Sequence, residues 1–317
     1  MALDNAEMIF GAEDPYPWAM DFWKRAQQMH WLADEVPMGD DVKQYKTLNP
    51  RMRSAIDMIF LFFTQADVEV QDCYHQRYSA VFKPVSVKMM LSAFSNMETI
   101  HVHAYRHLLD TLGIPSEQAH AFKEYQEMVD AADWFRSFEP TDAFKVAETL
   151  AAVSGFGEGL KLFGSFAFLM NLPRQNLMKG MGQIVSWSVR DETLHCQGMM
   201  KVFHTWLREH PEIDRAKLKV RIEEIAREAV HHEDKFIDLV FAAGDVPGMT
   251  AAELKRYIRW IANQRMRELG YWDIYADVTE DPLPWVYVMA FGQEHANFFE
   301  QKATEYSKAA AKGDWDD

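Results

Sequence analysis

Apolar residues along this chain return every three or four positions over long stretches, the period of a helix that buries one face. Nowhere do several short alternating segments follow one another, so the pattern predicts an all-α protein. A first helix is expected from about Trp18 to Ala33, then a loop through Val36-Pro37-Met38-Gly39-Asp40-Asp41. Asn49-Pro50 starts a long helix that runs to about Phe82, since proline suits the first helical turn, and Lys83-Pro84 closes it and opens the next. That next helix reaches Leu112 and stops at Gly113-Ile114-Pro115. A shorter one is expected over about Ser116 to Phe138. Thr141 can cap another, which Asn171-Leu172-Pro173 ends, and a further helix spans about Gln175 to Glu209. Two or three more fill Ile213 to Tyr275. Asp281-Pro282-Leu283-Pro284-Trp285 reads as a rigid connection, and a short last helix lies near Glu294 to Ala303.

Four of these apolar stripes carry acidic or imidazole groups. Glu98-Thr99-Ile100-His101 and Glu192-Thr193-Leu194-His195 repeat Glu-x-x-His 94 residues apart (192 minus 98). Residues three apart share a helix face, so each pair aims a carboxylate oxygen and an imidazole nitrogen at one point. The stripes are Leu91, Phe94, Glu98, His101, Tyr105, Leu108 and Val185, Ser188, Glu192, His195, Met199, Val202, which puts both pairs in the core. His103 and His107 fall off the first stripe and are expected not to be ligands. In the second helix Asp67 and Glu69 lie about 200° apart, so only one faces inward. Asp67 shares its stripe with Phe60, Phe63, Val70 and Tyr74, whereas Glu69 shares its own with Phe62, Gln65, Asp72 and Gln76, and Asp67 is therefore the inward carboxylate. Between Ala151 and Met170 the only acidic residue is Glu158. Two Glu-x-x-His helices plus one carboxylate from each of two others form the dinuclear site of ferritin-like four-helix bundles.

Composition limits the alternatives. The chain has 317 residues and no Gly/Pro/Ser-rich linker, and it is read as one domain over residues 1–308. The stretch 309–317 has too little apolar surface to anchor itself and is expected to be mobile. With 48% hydrophobic residues, including 21 Phe, 10 Trp and 19 Met, a large core is available. A net charge of −15 opposes binding to nucleic acid or an anionic membrane. Two cysteines, Cys73 and Cys196, give no disulfide framework and no thiolate metal site, which fits a reducing cytoplasm. The most apolar run, Met58 to Phe63, is too short for a bilayer. Four buried carboxylates without cations would cost several kcal/mol or more per group, on the order expected for isolated buried charge, and two divalent ions would cancel them. Mixed carboxylate and imidazole ligands suit iron or manganese.

In these motifs the chain resembles the small, radical-generating subunit of class I ribonucleotide reductase, over nearly its whole length. That family places an aspartate 31 residues before the first Glu-x-x-His and a glutamate 34 before the second; here 98 minus 67 is 31 and 192 minus 158 is 34. Asn96-Met97-Glu98-Thr99-Ile100-His101 and Arg190-Asp191-Glu192-Thr193-Leu194-His195 look like its two ligand motifs. The resemblance implies a ferritin-like bundle with a four-helix dimetal core and flanking helices. It also implies the ligand set Asp67, Glu98, His101, Glu158, Glu192 and His195. Tyr105, seven residues after Glu98, would become the stable radical. Trp31 on the first helix, hydrogen-bonded to Asp191 and through it to His101, would begin the radical's way out. Asn297-Phe298-Phe299-Glu300 and Thr304-Glu305-Tyr306 resemble the family's approach to its tail, where Tyr306 would hand the radical to the large subunit, although the acidic ending Trp315-Asp316-Asp317 departs from the family's hydrophobic-ended tails. Leu162, Phe166 and Ser188 fall where the family packs mostly apolar residues round the metals, and Ser188 is the polar exception.

The implied activity is that of a ribonucleoside-diphosphate reductase. The expected cofactor is a dinuclear iron centre, with manganese–iron and dimanganese centres as alternatives that the same ligands accept. Expected partners are a second copy, the large catalytic subunit and a flavodoxin-like activase. The main rival is a ferritin-like oxidase of a hydrophobic substrate, which shares the six ligands but has no use for Trp31, Asp191 or Tyr306. Iron storage would need a hollow shell. No Gly-rich phosphate loop is present.

Overall fold

The computed structural model describes residues 2–5, 14–115 and 123–291. Among them the elements are helices, with no strand, in the ferritin-like arrangement. The chain opens with α1 (Pro17–Gln28) and a 3₁₀ turn at Ala33–Glu35, followed by α2 (Gly39–Thr47). α3 (Pro50–Asp72) continues through π-helical turns at Cys73–Tyr78 into a last turn, α4 (Ser79–Val81). After α5 (Val85–Leu112) and α6 (Gln126–Arg136) comes α7 (Ala143–Thr149), which runs into a twelve-residue π-helical stretch, Leu150–Lys161. α8 (Phe163–Arg174), α9 (Lys179–Glu209), α10 (Arg215–Val240) and α11 (Ala251–Glu268) complete it.

Local chemistry sets most of the boundaries. Asn49 caps α3 by accepting from the Arg51 N–H at 2.9 Å, with Pro50 in the first turn. Gly113 ends α5 at φ 77°, a left-handed conformation that glycine adopts without steric cost. Helix boundaries differ from those expected at five places. α1 stops at Gln28, so Trp31 is not on the first helix but in the extended connection beyond it. The expected loop at Val36–Asp41 gives way to α2 from Gly39. Asp142, not Thr141, caps α7, accepting from the Lys145 N–H at 2.9 Å. The helix through Asn171-Leu172-Pro173 passes its proline by one residue, to Arg174, where the missing Pro173 N–H and the crowding of its ring against the preceding turn disrupt only the helix's last turn; the reversal comes at Asn176, φ 61°, and the next helix starts only at Lys179. The helix expected over Ser116–Phe138 is seen as Gln126–Arg136, and 116–122 lie outside the described residues. The short helix near Glu294 to Ala303, Tyr306 and the tail 309–317 also lie outside them.

The core of the bundle is made where α3 packs on α5, α9 on the π-helical stretch, and these two pairs on one another. The π-helical stretch is rich in glycine because its neighbours approach it closely. A Cβ on Gly159 would lie 2.8 Å from Arg265 Cδ and 3.0 Å from Cys196 Sγ, and one on Gly157 would collide with the Phe135 ring. A π-helix of this length is rare and shifts the facing of every residue in it, Glu158 included. No helix among the described residues is long and apolar enough to cross a membrane.

Candidate metal centre

Six polar side chains meet in this core. Asp67 comes from α3, Glu98 and His101 from α5, Glu158 from the π-helical stretch, and Glu192 and His195 from α9, and none is more than 1% exposed. The three stripes that carry Asp67, Glu98 and His101, and Glu192 and His195 are buried as their helix phase requires. Glu69 is also buried, but on the opposite side of α3, where Arg136 Nε donates to its Oε2 at 3.0 Å. His103 is more than half exposed and stands 4.0 Å from Asp34.

Ligand-capable atoms fall into two overlapping groups, Asp67, Glu98 and His101 in one and Glu98, Glu158, Glu192 and His195 in the other, each within 4.8 Å. Glu98 belongs to both and so lies between them. His195 Nδ1 is 2.9 Å from Glu98 Oε1, 3.2 Å from Glu158 Oε2 and 3.5 Å from Glu192 Oε2, while His101 Nδ1 is 3.1 Å from Glu192 Oε1 and 3.3 Å from Glu98 Oε2. These approaches lack hydrogen-bond geometry. Both oxygens of Asp67 and of Glu98, Glu192 Oε2, His101 Nδ1 and both nitrogens of His195 have no hydrogen-bond partner among the described residues. Buried polar atoms are almost always satisfied. A cluster of unpaired oxygens and nitrogens converging at such distances fits two cations held between them.

Electrostatics agree with that fit. Burial and the neighbouring Glu98 push Asp67 well above the usual carboxylate range, and burial raises Glu158 to about 7 despite His195 beside it. Burial also opposes ionisation of Glu98, but His101 and His195 outweigh it and hold this carboxyl lower. Against their own desolvation, the imidazoles are pushed well up, His101 by Asp191, Glu192 and Glu98, His195 by Glu158, Glu192 and Glu98. The metal-free cluster therefore keeps protons where cations would otherwise sit.

Other residues singled out by the sequence surround these six. Trp31, 3% exposed, donates its indole N–H to Asp191 Oδ2 at 2.8 Å, and the same oxygen is 3.3 Å from His101 Nε2. That contact leaves His101 Nδ1 turned to the cluster. Arg190 Nη2 ties the arrangement to the end of α1 by donating to the Met29 carbonyl at 2.6 Å. Tyr105 is fully buried one turn beyond His101, with ring centroids 6.4 Å apart, and packs on Phe63 at 4.7 Å. Burial, then the Asp67 carboxylate, raises its phenol well above the ordinary tyrosine value, while His101 and the Ser188 hydroxyl pull the other way. The Ser188 hydroxyl donates its hydrogen bond to the Ile184 carbonyl at 3.2 Å, which answers how a polar side chain is kept in this apolar shell. Leu162 and Phe166 are buried, with the Phe166 ring 5.1 Å from that of Phe63 and tilted against it by 51°.

Sequence reasoning missed one neighbour of the site altogether. Tyr74, in the π-helical turns after α3, donates to Glu158 through contacts of 2.8 and 3.0 Å to the two oxygens, with its ring 5.9 Å from that of His195. It lay on the Asp67 stripe, seven residues on, but nothing in the spacing distinguished a phenol that holds a carboxylate from one that fills space.

A family model described as "Ribonucleotide reductase, small chain" matches residues 13–282. The probable ribonucleoside-diphosphate reductase small subunit of Invertebrate iridescent virus 6 is 36% identical over 338 residues, covering 95% of this chain and 94% of that protein. Among solved structures, the ribonucleotide reductase R2 subunit from Clostridium botulinum superposes with a TM-score of 0.81 at 22% identity, covering 87% of this chain and 88% of that one. Dimanganese(II)-NrdF from Streptococcus sanguinis does so with 0.76 at 17%, covering 90% of this chain and all of the other. Both structural likenesses concern the fold.

Proposed function

The chain belongs to the ribonucleotide reductase small-chain family, and from that premise we propose that Asp67, Glu98, His101, Glu158, Glu192 and His195 hold its dinuclear metal centre and that Tyr105 stores the oxidising equivalent made there. It is the radical-generating subunit of a class I ribonucleoside-diphosphate reductase, whose large subunit reduces ribonucleotides to deoxyribonucleotides. The observation that carries the site reading is the convergence of unpaired carboxylate oxygens and imidazole nitrogens from four helices.

When bound, the reduced dimetal centre supplies, after reaction with an oxygen species, an oxidant able to take an electron from a phenol. The chain's own residues govern how that electron leaves. The Tyr105 phenol, its pKa raised by burial and Asp67, keeps its proton at neutral pH, so its electron and proton must leave together. Phe60 and Phe63 pack on the Tyr105 ring, and Phe166 packs on Phe63 behind them, so that apolar rings surround the phenol in this part of the core. Asp191 fixes the His101 ring by accepting at Nε2 and shares that oxygen with the Trp31 N–H, giving an oxidising equivalent a bonded route from the cluster to Trp31. Tyr306, outside the described residues, is our candidate for the last step onto the large subunit.

We assign the centre two irons, since carboxylate-rich ligation with two imidazoles suits them, with manganese in one or both places as the second reading. A homodimer, a flavodoxin-like activase and a cytoplasmic setting complete the proposal. A hydrophobic-substrate oxidase is disfavoured by the Trp31–Asp191–His101 connection, for which such an enzyme has no use. Mixing the metal-loaded chain with a purified large subunit should give deoxyribonucleotide; turnover of a hydrophobic substrate by the chain alone, with no such product, would overturn the proposal.

A further inference from the structure

Trp31 does not end the connected path. Its ring lies 5.1 Å, centroid to centroid and tilted by 44°, from that of Trp187, nearer than the 6.0 Å to His101 on its other side. Trp187 stands four residues before Asp191 on α9, so the helix holds it on the same face as the carboxylate that fixes Trp31. Unlike Trp31 it is only half-buried, and it forms part of the wall of a surface groove of about 740 Å³. Glu35, Asp40 and Asp41 against Lys43 and Lys179 give that wall a slight negative excess, which favours positive charge on an indole.

We propose that Trp187 is a relay residue that takes the hole from Trp31 and brings it to the protein surface at this groove. The step rests on the radical-transfer reading above. One electron moves from the Trp187 indole to one-electron-oxidised Trp31; Trp31 returns to its closed-shell state with its N–H still on Asp191, and Trp187 is left as the radical cation, able to release its N–H proton to water. No bond between heavy atoms forms or breaks. Partial burial makes the choice of Trp187 physical: ring contact on the inner side couples it to Trp31, and solvent on the outer side stabilises the charge that the core would penalise.

The test uses the full chain, metal-loaded, as wild type and as Trp187→Phe, Trp187→Tyr and Trp31→Phe, with ring-deuterated tryptophan to identify indole radicals by rapid-freeze electron paramagnetic resonance. Expected for Trp187→Phe are unchanged metal content and Tyr105 signal, a transient Trp31 radical that lives about tenfold longer for want of a donor, and nucleotide reduction with the large subunit slowed by about tenfold or more. Trp187→Tyr, still oxidisable, should recover much of the rate. Unchanged lifetime and turnover in Trp187→Phe, with Trp31→Phe inactive, would overturn the relay and leave the radical-transfer reading standing. Loss of metal or of the Tyr105 signal in Trp187→Phe would reduce Trp187 to packing and overturn the relay likewise. A fully active Trp31→Phe would overturn both.

Discussion

Trp31 and His101 meet at a single oxygen: Asp191 Oδ2 accepts the Trp31 indole N–H at 2.8 Å and stands 3.3 Å from His101 Nε2. All three groups are buried, so the link is neither screened by salt nor replaced by water. Asp191→Asn keeps the shape of this side chain but not its charge. Nucleotide reduction with the large subunit should fall about 10- to 100-fold, the usual effect of changing a partner of a metal-ligating histidine, while metal content and Tyr105 radical yield persist. Equal losses in radical yield and turnover would place the role of Asp191 in assembling the site rather than in the route out of it.

The protons of the metal-free cluster give a pH dependence of definite sign. Glu158 is raised from 4.5 to about 7, and Asp67, His101 and His195 are raised as well, so each binds protons more tightly folded than unfolded. The stability they contribute is present below their unfolded pKa values and is lost as pH rises through the folded ones; Glu98, lowered, contributes in the opposite sense. Metal-free protein should therefore lose Tm between pH 4.5 and about 7, and Glu158→Gln should lose less across the same window. Metal uptake must expel these protons, so it should release acid into weakly buffered solution at neutral pH. A metal-free Tm that climbs through this window, or metal binding without proton release, would contradict the electrostatics.

Tyr74 holds Glu158 by the hydroxyl that Tyr74→Phe removes, with little change in volume. The variant should bind the second metal about 10- to 100-fold more weakly and keep its helical content. Isothermal titration of metal into the two proteins, read beside circular dichroism, checks this; unchanged affinity would make Tyr74 a packing residue.

Away from the centre, Glu233 is buried, raised to about 8, and its Oε2 has no hydrogen-bond partner among the described residues. The nearby charge that lowers it is Lys161, itself buried over the Trp134 and Phe135 rings at 4.7 Å and lowered by desolvation to about 8. Because Glu233 is raised, its contribution to stability is lost as pH rises from 4.5 through 8. Glu233→Gln should thus be stabilised over wild type by about 1–3 kcal/mol at pH 9 and hardly at pH 5. Thermal unfolding at the two pH values decides it; a larger gain at pH 5 would contradict the sign.

Much of the site was legible because helix phase is a strong constraint. It chose Asp67 over Glu69, and the structure puts Asp67 in the cluster and Glu69 on Arg136. It drew His101 and His195 inward and left His103 outside. What it could not give was anything that depends on departures from the regular helix or on contacts between distant segments. Trp31 was read as helical because an apolar period ran past Gln28, whereas the chain had already left the helix. The π-helical turns that carry Tyr74 and Glu158 leave no mark on a period of 3.6, and so the bond between them was invisible. Trp187 was one tryptophan of ten until its ring appeared beside Trp31.

The central claim is that this core oxidises Tyr105 through metals held by the six residues. Electron paramagnetic resonance on wild type and Tyr105→Phe, each loaded with iron or manganese under air and matched for metal content, tests it most directly. The wild-type chain should give a tyrosyl signal that the variant lacks while it keeps its metal. The same signal persisting in metal-replete Tyr105→Phe would contradict the assignment.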